Sequence, residues 1–277
     1  MPIGVQLSQG FKYWEVKNLD YELSISTSEE KHYRRRLLSY LEKGKKEIEQ
    51  HPTIPTRYRL IPQDEVIDYK GASLGKPLDI WLPFGIHNHF NTYRGNLLDF
   101  AGVTDSGKTT LAIDIINNND DKWAIDYWTN EISADELKER LQNIEPNKAI
   151  EDYRFTARVI RPGYLQKIRP DILSIFDYID VGDPYYRIAE EQQAIHDAIG
   201  KGVAIIFLQK DEAKVLGRGK AFSAQLPRLY ISMTKNSAYA YKAKVPKNPD
   251  NPLKGKTCDF KLRHGFHFEF GEWRFKE

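Results

Sequence analysis

Apolar positions fall into two regimes along the 277 residues. From residue 97 onward, strand-length apolar runs alternate with stretches of helical period. The runs at 97–100, 122–128, 172–177, 203–208 and 228–233 are rich in aliphatic and aromatic residues, as strands covered on both faces require. Between them, 110–117 and 187–199 have the pattern of helices. Ser133, with Glu136 three residues on, forms a capping box for a helix reaching Leu141. Residues 239–245 and 258–263 alternate as strands around a turn at 247–255, and 266–270 with 273–275 finish as a meander. This order predicts an α/β core, a mostly parallel sheet flanked by helices, ending in an antiparallel C-terminal hairpin.

The pattern before residue 97 is different. Asn18 can cap a helix over 19–23, and Ser28 is a weaker start for a run over 29–43, where Leu37, Leu38 and Leu41 recur at helical spacing. Gly44 ends that run. Residues 48–50 and 57–61 read as strands on either side of a turn at 51–55. Proline and glycine punctuate 62–96, which leaves room for an edge strand at 78–82 and otherwise reads as a linker that docks on the core. The expected organisation is a small domain over 1–62, a linker over 63–96 and the core over 97–277.

Composition narrows the class. Hydrophobic content of 40% is enough for a core, and no apolar run approaches the roughly 20 residues of a membrane span. A single cysteine, Cys258, excludes an internal disulfide framework and a cysteine-rich zinc site. With no basic-then-apolar leader pattern at the N-terminus, the expected setting is cytoplasmic, away from membranes. Charge is uneven. Residues 11–62 hold 11 Lys and Arg against 8 Asp and Glu, 63–209 hold 15 against 24, and 210–263 hold 13 against 4. Such asymmetry suits a polyanion met by the two ends of the chain.

The densest chemistry lies at 97–111, LLDFAGVTDSGKTTL. An apolar strand breaks into a glycine-bounded loop and then a helix, the context in which G-x-x-x-x-G-K-[ST] binds a nucleoside triphosphate. Gly102 and Gly107 let the backbone turn so that successive N–H groups face phosphates, and the helix adds its positive end. Gly102, Val103, Thr104, Asp105, Ser106, Gly107, Lys108, Thr109 and Thr110 form the expected ATP cradle. Lys108 reaches the β/γ-phosphates and the Thr109 hydroxyl ligates Mg²⁺. Asp177 ends an apolar run as the second expected Mg²⁺ ligand, with Asp180 its competitor. Glu131, just past another strand, is positioned to orient a water for attack on the γ-phosphate. His87 and His89 form an H-x-H without a metal-spaced partner, better suited to a surface or core role.

Two resemblances extend this reading. The run NEISADELKERL at 130–141 and the DYI at 177–179 resemble segments of replicative helicases of the DnaB type, within the RecA-like branch of P-loop ATPases. The resemblance implies that Glu131 is the catalytic carboxylate and that Gln209, ending the 203–208 strand, senses the γ-phosphate. It also implies that Lys242 and Lys244 reach a neighbouring subunit's nucleotide in a hexamer or filament, although the family pattern there is usually Lys-x-Arg. The order of two helices then a hairpin over 11–62 resembles a winged helix. In that family the second helix reads the DNA major groove, here with Lys31, His32, Arg34, Arg35 and Arg36 near its exposed side, and Arg57 and Arg59 on the wing meet phosphate. Lys214, Arg218 and Lys220, on a mobile glycine-containing loop, suit DNA-backbone contact. The combined expectation is an ATP-dependent, DNA-binding ATPase of replication or recombination, a helicase or loader working with single- or double-stranded DNA and other replication proteins. A non-motor DNA-binding regulator, or a partition or initiator protein, that uses ATP as an assembly switch is the alternative.

Overall fold

The computed structural model describes residues 14–61, 69–70, 76–177, 179 and 187–275; Asp180 and the expected boundary at Pro62 lie outside them. The chain divides into two units, Met1–Ser73 and Leu74–Glu277.

In the first unit, Trp14–Glu15 (β1) leads into Val16–Glu22 (α1), followed by Ser28–Ser39 (α2), Ile48–Gln50 (β2) and Arg57–Leu60 (β3). Thr27, rather than Ser28, caps α2. Its hydroxyl accepts from the Glu30 N–H at 3.2 Å and its own N–H donates to Glu30 Oε2 at 2.9 Å, a reciprocal box that outcompetes a cap one residue later. The helical path continues past Gly44 as a wide turn over Tyr40–Lys45 and reverses at Lys46, which takes φ +55°. The strands pair antiparallel in the order β1-β3-β2. Leu38, Ile48 and Tyr58 are the buried centre, with Trp14 stacked on Tyr58 at 5.5 Å.

The second unit is built on one sheet of ten strands. These are Leu97–Gly102 (β4), Ile125–Thr129 (β5), Thr156–Val159 (β6), Leu173–Asp177 (β7), Val203–Gln209 (β8), Leu229–Met233 (β9), Ser237–Ala243 (β10), Lys256–Arg263 (β11), His267–Phe270 (β12) and Arg274–Phe275 (β13). Their order is β12-β11-β10-β9-β4-β8-β7-β5-β6, with β13 also on β11. Strands β4 to β9 run parallel and β10 to β13 are added antiparallel. Lys108–Asn117 (α3), Ala134–Ile144 (α4) and Arg187–Ile199 (α5) are its helices. Alternate residues of β4 serve two cores. Leu98 and Phe100 pack with α3 residues, and Leu97 and Ala101 pack with α5 residues.

In the second unit no strand forms at 78–82, and three features go beyond the sequence expectation. Residues 156–159 form an edge strand that their pattern conceals, because three of the four are exposed. The strand ending before Glu131 does not adjoin the P-loop strand: β8 and β7 stand between β4 and β5. Within 76–96, read as linker, Ile80, Leu82, Phe84, Ile86 and Phe90 are buried in the same core as α3.

Candidate functional site

The carboxyl ends of β4, β5, β7 and β8 meet the first turn of α3. At Gly102 an added Cβ would lie 2.3 Å from Ser106 Oγ and 3.0 Å from the Lys108 side chain, so only glycine leaves the loop room to close. Gly107 has φ +82° and its Cβ would meet the Phe268 ring at 2.8 Å. Ser106 Oγ donates to the Val103 carbonyl at 2.8 Å and tightens the loop from within. Asp105 holds φ +59° and, like Thr104, faces solvent. Thr110 Oγ1 turns away and donates to the Gly265 carbonyl at 2.9 Å in the β11–β12 turn.

Side chains separated widely in sequence converge on this loop. Lys108 Nζ donates to Gln209 Oε1 at 2.9 Å and to the Val103 carbonyl at 3.0 Å, while Gln209 Nε2 donates to Thr104 Oγ1 at 2.8 Å. Thr109 Oγ1 lies 3.4 Å from Glu131 Oε2, so the α3 crossover spans the two intervening strands. Asp177 Oδ2 accepts the Tyr127 hydroxyl at 2.8 Å, and its Oδ1 is buried with no hydrogen-bond partner. Burial pulls the Lys108 ammonium down, opposed by Glu131, Asp177 and Asp105. Burial likewise pushes Asp177 up to about 6, against the Tyr127 hydrogen bond and the nearby Thr109 hydroxyl. The orphaned oxygen of Asp177, a carboxylate that Thr109 also influences, and a glycine cradle that a Cβ would fill, fit a divalent cation carried by phosphates. Two protein ligands suffice for Mg²⁺, which keeps its waters; among the described residues no three His, Cys, Asp or Glu side chains cluster as a metal cage. Tyr127 gave no sequence signal, being one aromatic residue in a buried strand.

The other expected residues are distributed elsewhere. Lys242 Nζ donates to the carbonyls of Ala224 and Gln225, at 2.6 and 2.8 Å, so its charge is held inside its own chain, whereas Lys244 is exposed. Lys214, Arg218 and Lys220 are exposed on the loop after β8. That loop is pinned. The Arg218 N–H donates to the Gln209 carbonyl at 2.7 Å, the Gly217 N–H to the Tyr230 hydroxyl at 2.8 Å, and Lys210 Nζ to the Lys214 carbonyl at 2.7 Å. Gln192 bridges the Ser223 carbonyl and the buried Asp99 carboxylate, whose proton affinity burial raises well above the ordinary range. In the first unit, Lys31, His32, Arg35 and Arg36 are exposed on α2. Arg34, Arg57 and Arg59 instead pair with Asp20, Glu15 and Glu49. His87 Nδ1 contacts the Leu82 carbonyl at 2.7 Å, a local structural bond.

The parallel sheet with this loop at its centre defines a RecA-like P-loop fold. Among solved structures, the KaiC-like protein PH0186 of the hyperthermophilic archaeon Pyrococcus horikoshii OT3 aligns with a TM-score of 0.51 at 13% identity, covering 71% of this chain and 99% of that one. No family model and no curated protein matches the sequence.

Proposed function

We propose that the chain is a DNA-binding ATPase of helicase or helicase-loader type, coupling Mg-ATP hydrolysis to DNA binding or movement in replication or recombination. The observation that carries the reading is the convergence of Lys108, Thr109, Glu131, Asp177 and Gln209 on one glycine-bounded loop. Lys108 and the loop N–H groups neutralise the β- and γ-phosphates. Thr109 and Asp177 hold Mg²⁺, which when bound supplies charge compensation on the phosphate oxygens. Glu131, exposed at the rim, accepts a proton from the attacking water. Gln209, touching both Lys108 and Thr104, reads the γ-phosphate, and its carbonyl meets the basic loop at Arg218.

A winged-helix reading of the first unit is supported by α1 and α2 followed by the hairpin, and by exposed cations on α2. Arg34, Arg57 and Arg59 contribute less there, because each answers an internal carboxylate. A homo-oligomeric assembly through Lys244 fits its exposure better than one through Lys242. The capture of Lys242 favours the second reading, a DNA-bound switch whose nucleotide controls assembly. Hydrolysis assayed with and without single- and double-stranded DNA, alongside native mass, separates the two. The motor reading expects DNA-stimulated turnover that falls at least about 100-fold in Glu131→Gln while nucleotide binding persists. Turnover indifferent to DNA, with nucleotide-dependent assembly, favours the switch. A monomer unaffected by either ligand refutes both.

A further inference from the structure

Asp177 and Tyr127 lie on neighbouring parallel strands, with Thr129 opposite Asp177 in the register and Tyr127 two residues earlier on the same face. Both side chains are fully buried. The phenol spans the distance from β5 to the carboxylate and donates to Oδ2 at 2.8 Å, whereas Oδ1 has no partner. Phe155 packs edge-on against the Tyr127 ring at 6.4 Å and limits its swing. A carboxylate has acceptor capacity on both oxygens, and fixing one leaves the other with a defined direction. Here the open oxygen belongs to the carboxylate that Thr109 also faces.

We propose that Tyr127 is a positioning residue that locks Asp177 so that Oδ1 alone is presented to the divalent cation. The inference rests on the nucleotide-site reading above. Groups hydrogen-bonded behind a metal ligand typically change metal affinity 10- to 100-fold when removed. Tyr127 thus acts through Asp177.

The test is Mn²⁺ binding to the full chain in the presence of ADP, followed by electron paramagnetic resonance. Tyr127→Phe keeps the ring and removes only the hydroxyl. It is expected to weaken Mn²⁺ about tenfold or more, to leave metal-free ADP affinity unchanged, and to raise the Mg²⁺ requirement for turnover more than it lowers kcat. In an Asp177→Ala background the same change is expected to cost nothing further, an outcome that a merely structural ring would not give. If Tyr127→Phe does not fold, Tyr127→Met supplies a second hydroxyl-free side chain flexible enough to fill the space. A folded hydroxyl-free variant that binds Mn²⁺ as tightly as wild type overturns the inference alone. So does an equal loss in the Asp177→Ala background. Wild-type protein that fails to bind Mn²⁺ with ADP overturns the nucleotide reading and this inference together.

Discussion

Asp114 lies one turn beyond Thr110 on α3, beneath the β11–β12 hairpin, with Asn118 Nδ2 at 3.2 Å from its carboxylate. Burial pushes its pKa up to about 6 from an ordinary 3.8, against Asn118 and the charge of His267. The folded state therefore binds this proton more tightly than the unfolded one. Its contribution is fully present below about 3.8 and is lost as pH rises through about 6, at most about 3 kcal/mol. Asp114→Asn removes that dependence. In denaturant titrations the variant is expected to gain on wild type from pH 4 to pH 7.5, and an advantage that does not change with pH would contradict the assignment. Single residues were unevenly legible in the sequence. Lys108 and Thr109 belong to a spaced motif with one chemical meaning. Tyr127 could not be distinguished from any other core aromatic, because its hydroxyl acquires a role only when β5 and β7 pair.

Dense apolar runs made the strands of the parallel core legible, and α5 ends at the residue its pattern indicates. The edge strand β6 was hidden for the opposite reason. Beside its backbone ladder with β5, Arg158 on β6, with Arg169 beyond it, pairs with the buried Asp126 of β5. The basic loop after β8 lacks a hydrophobic period, the pattern of a mobile segment, yet Tyr230 of β9 holds its backbone at Gly217, and side chains from α5 and β10 hold the turn that follows it. Tyr230→Phe would strand the buried Gly217 N–H, a loss of about 1–3 kcal/mol. Trypsin reads this directly at Lys214, Arg218 and Lys220. Cleavage there is expected to be slow in the wild type and about tenfold or more faster in the variant, in the absence of any ligand. Equal rates would mean that the tyrosine does not hold the loop.

The two units have very different cores. The first is centred on three buried apolar side chains, Leu38, Ile48 and Tyr58, whereas the second buries both faces of a wide sheet. Small cores give marginal stability, so calorimetry is expected to resolve two transitions with the first unit melting earlier. Thr27→Ala, which deletes the α2 capping box, should lower only the earlier one, by about 1 kcal/mol. A single transition shifted as a whole by that change would argue against independent melting.

The contacts of Gly107 with Phe268, and of Thr110 with Gly265, join residues more than 150 positions apart. On the ribosome, the loop at 102–109 emerges long before the hairpin that braces it. A nascent chain can pair β4 with β8 and β9 but cannot finish the cradle until residue 268 has left the exit tunnel. Nucleotide capture thus waits until the hairpin has joined the sheet, and a chain cut short before residue 268 would carry an unbraced loop.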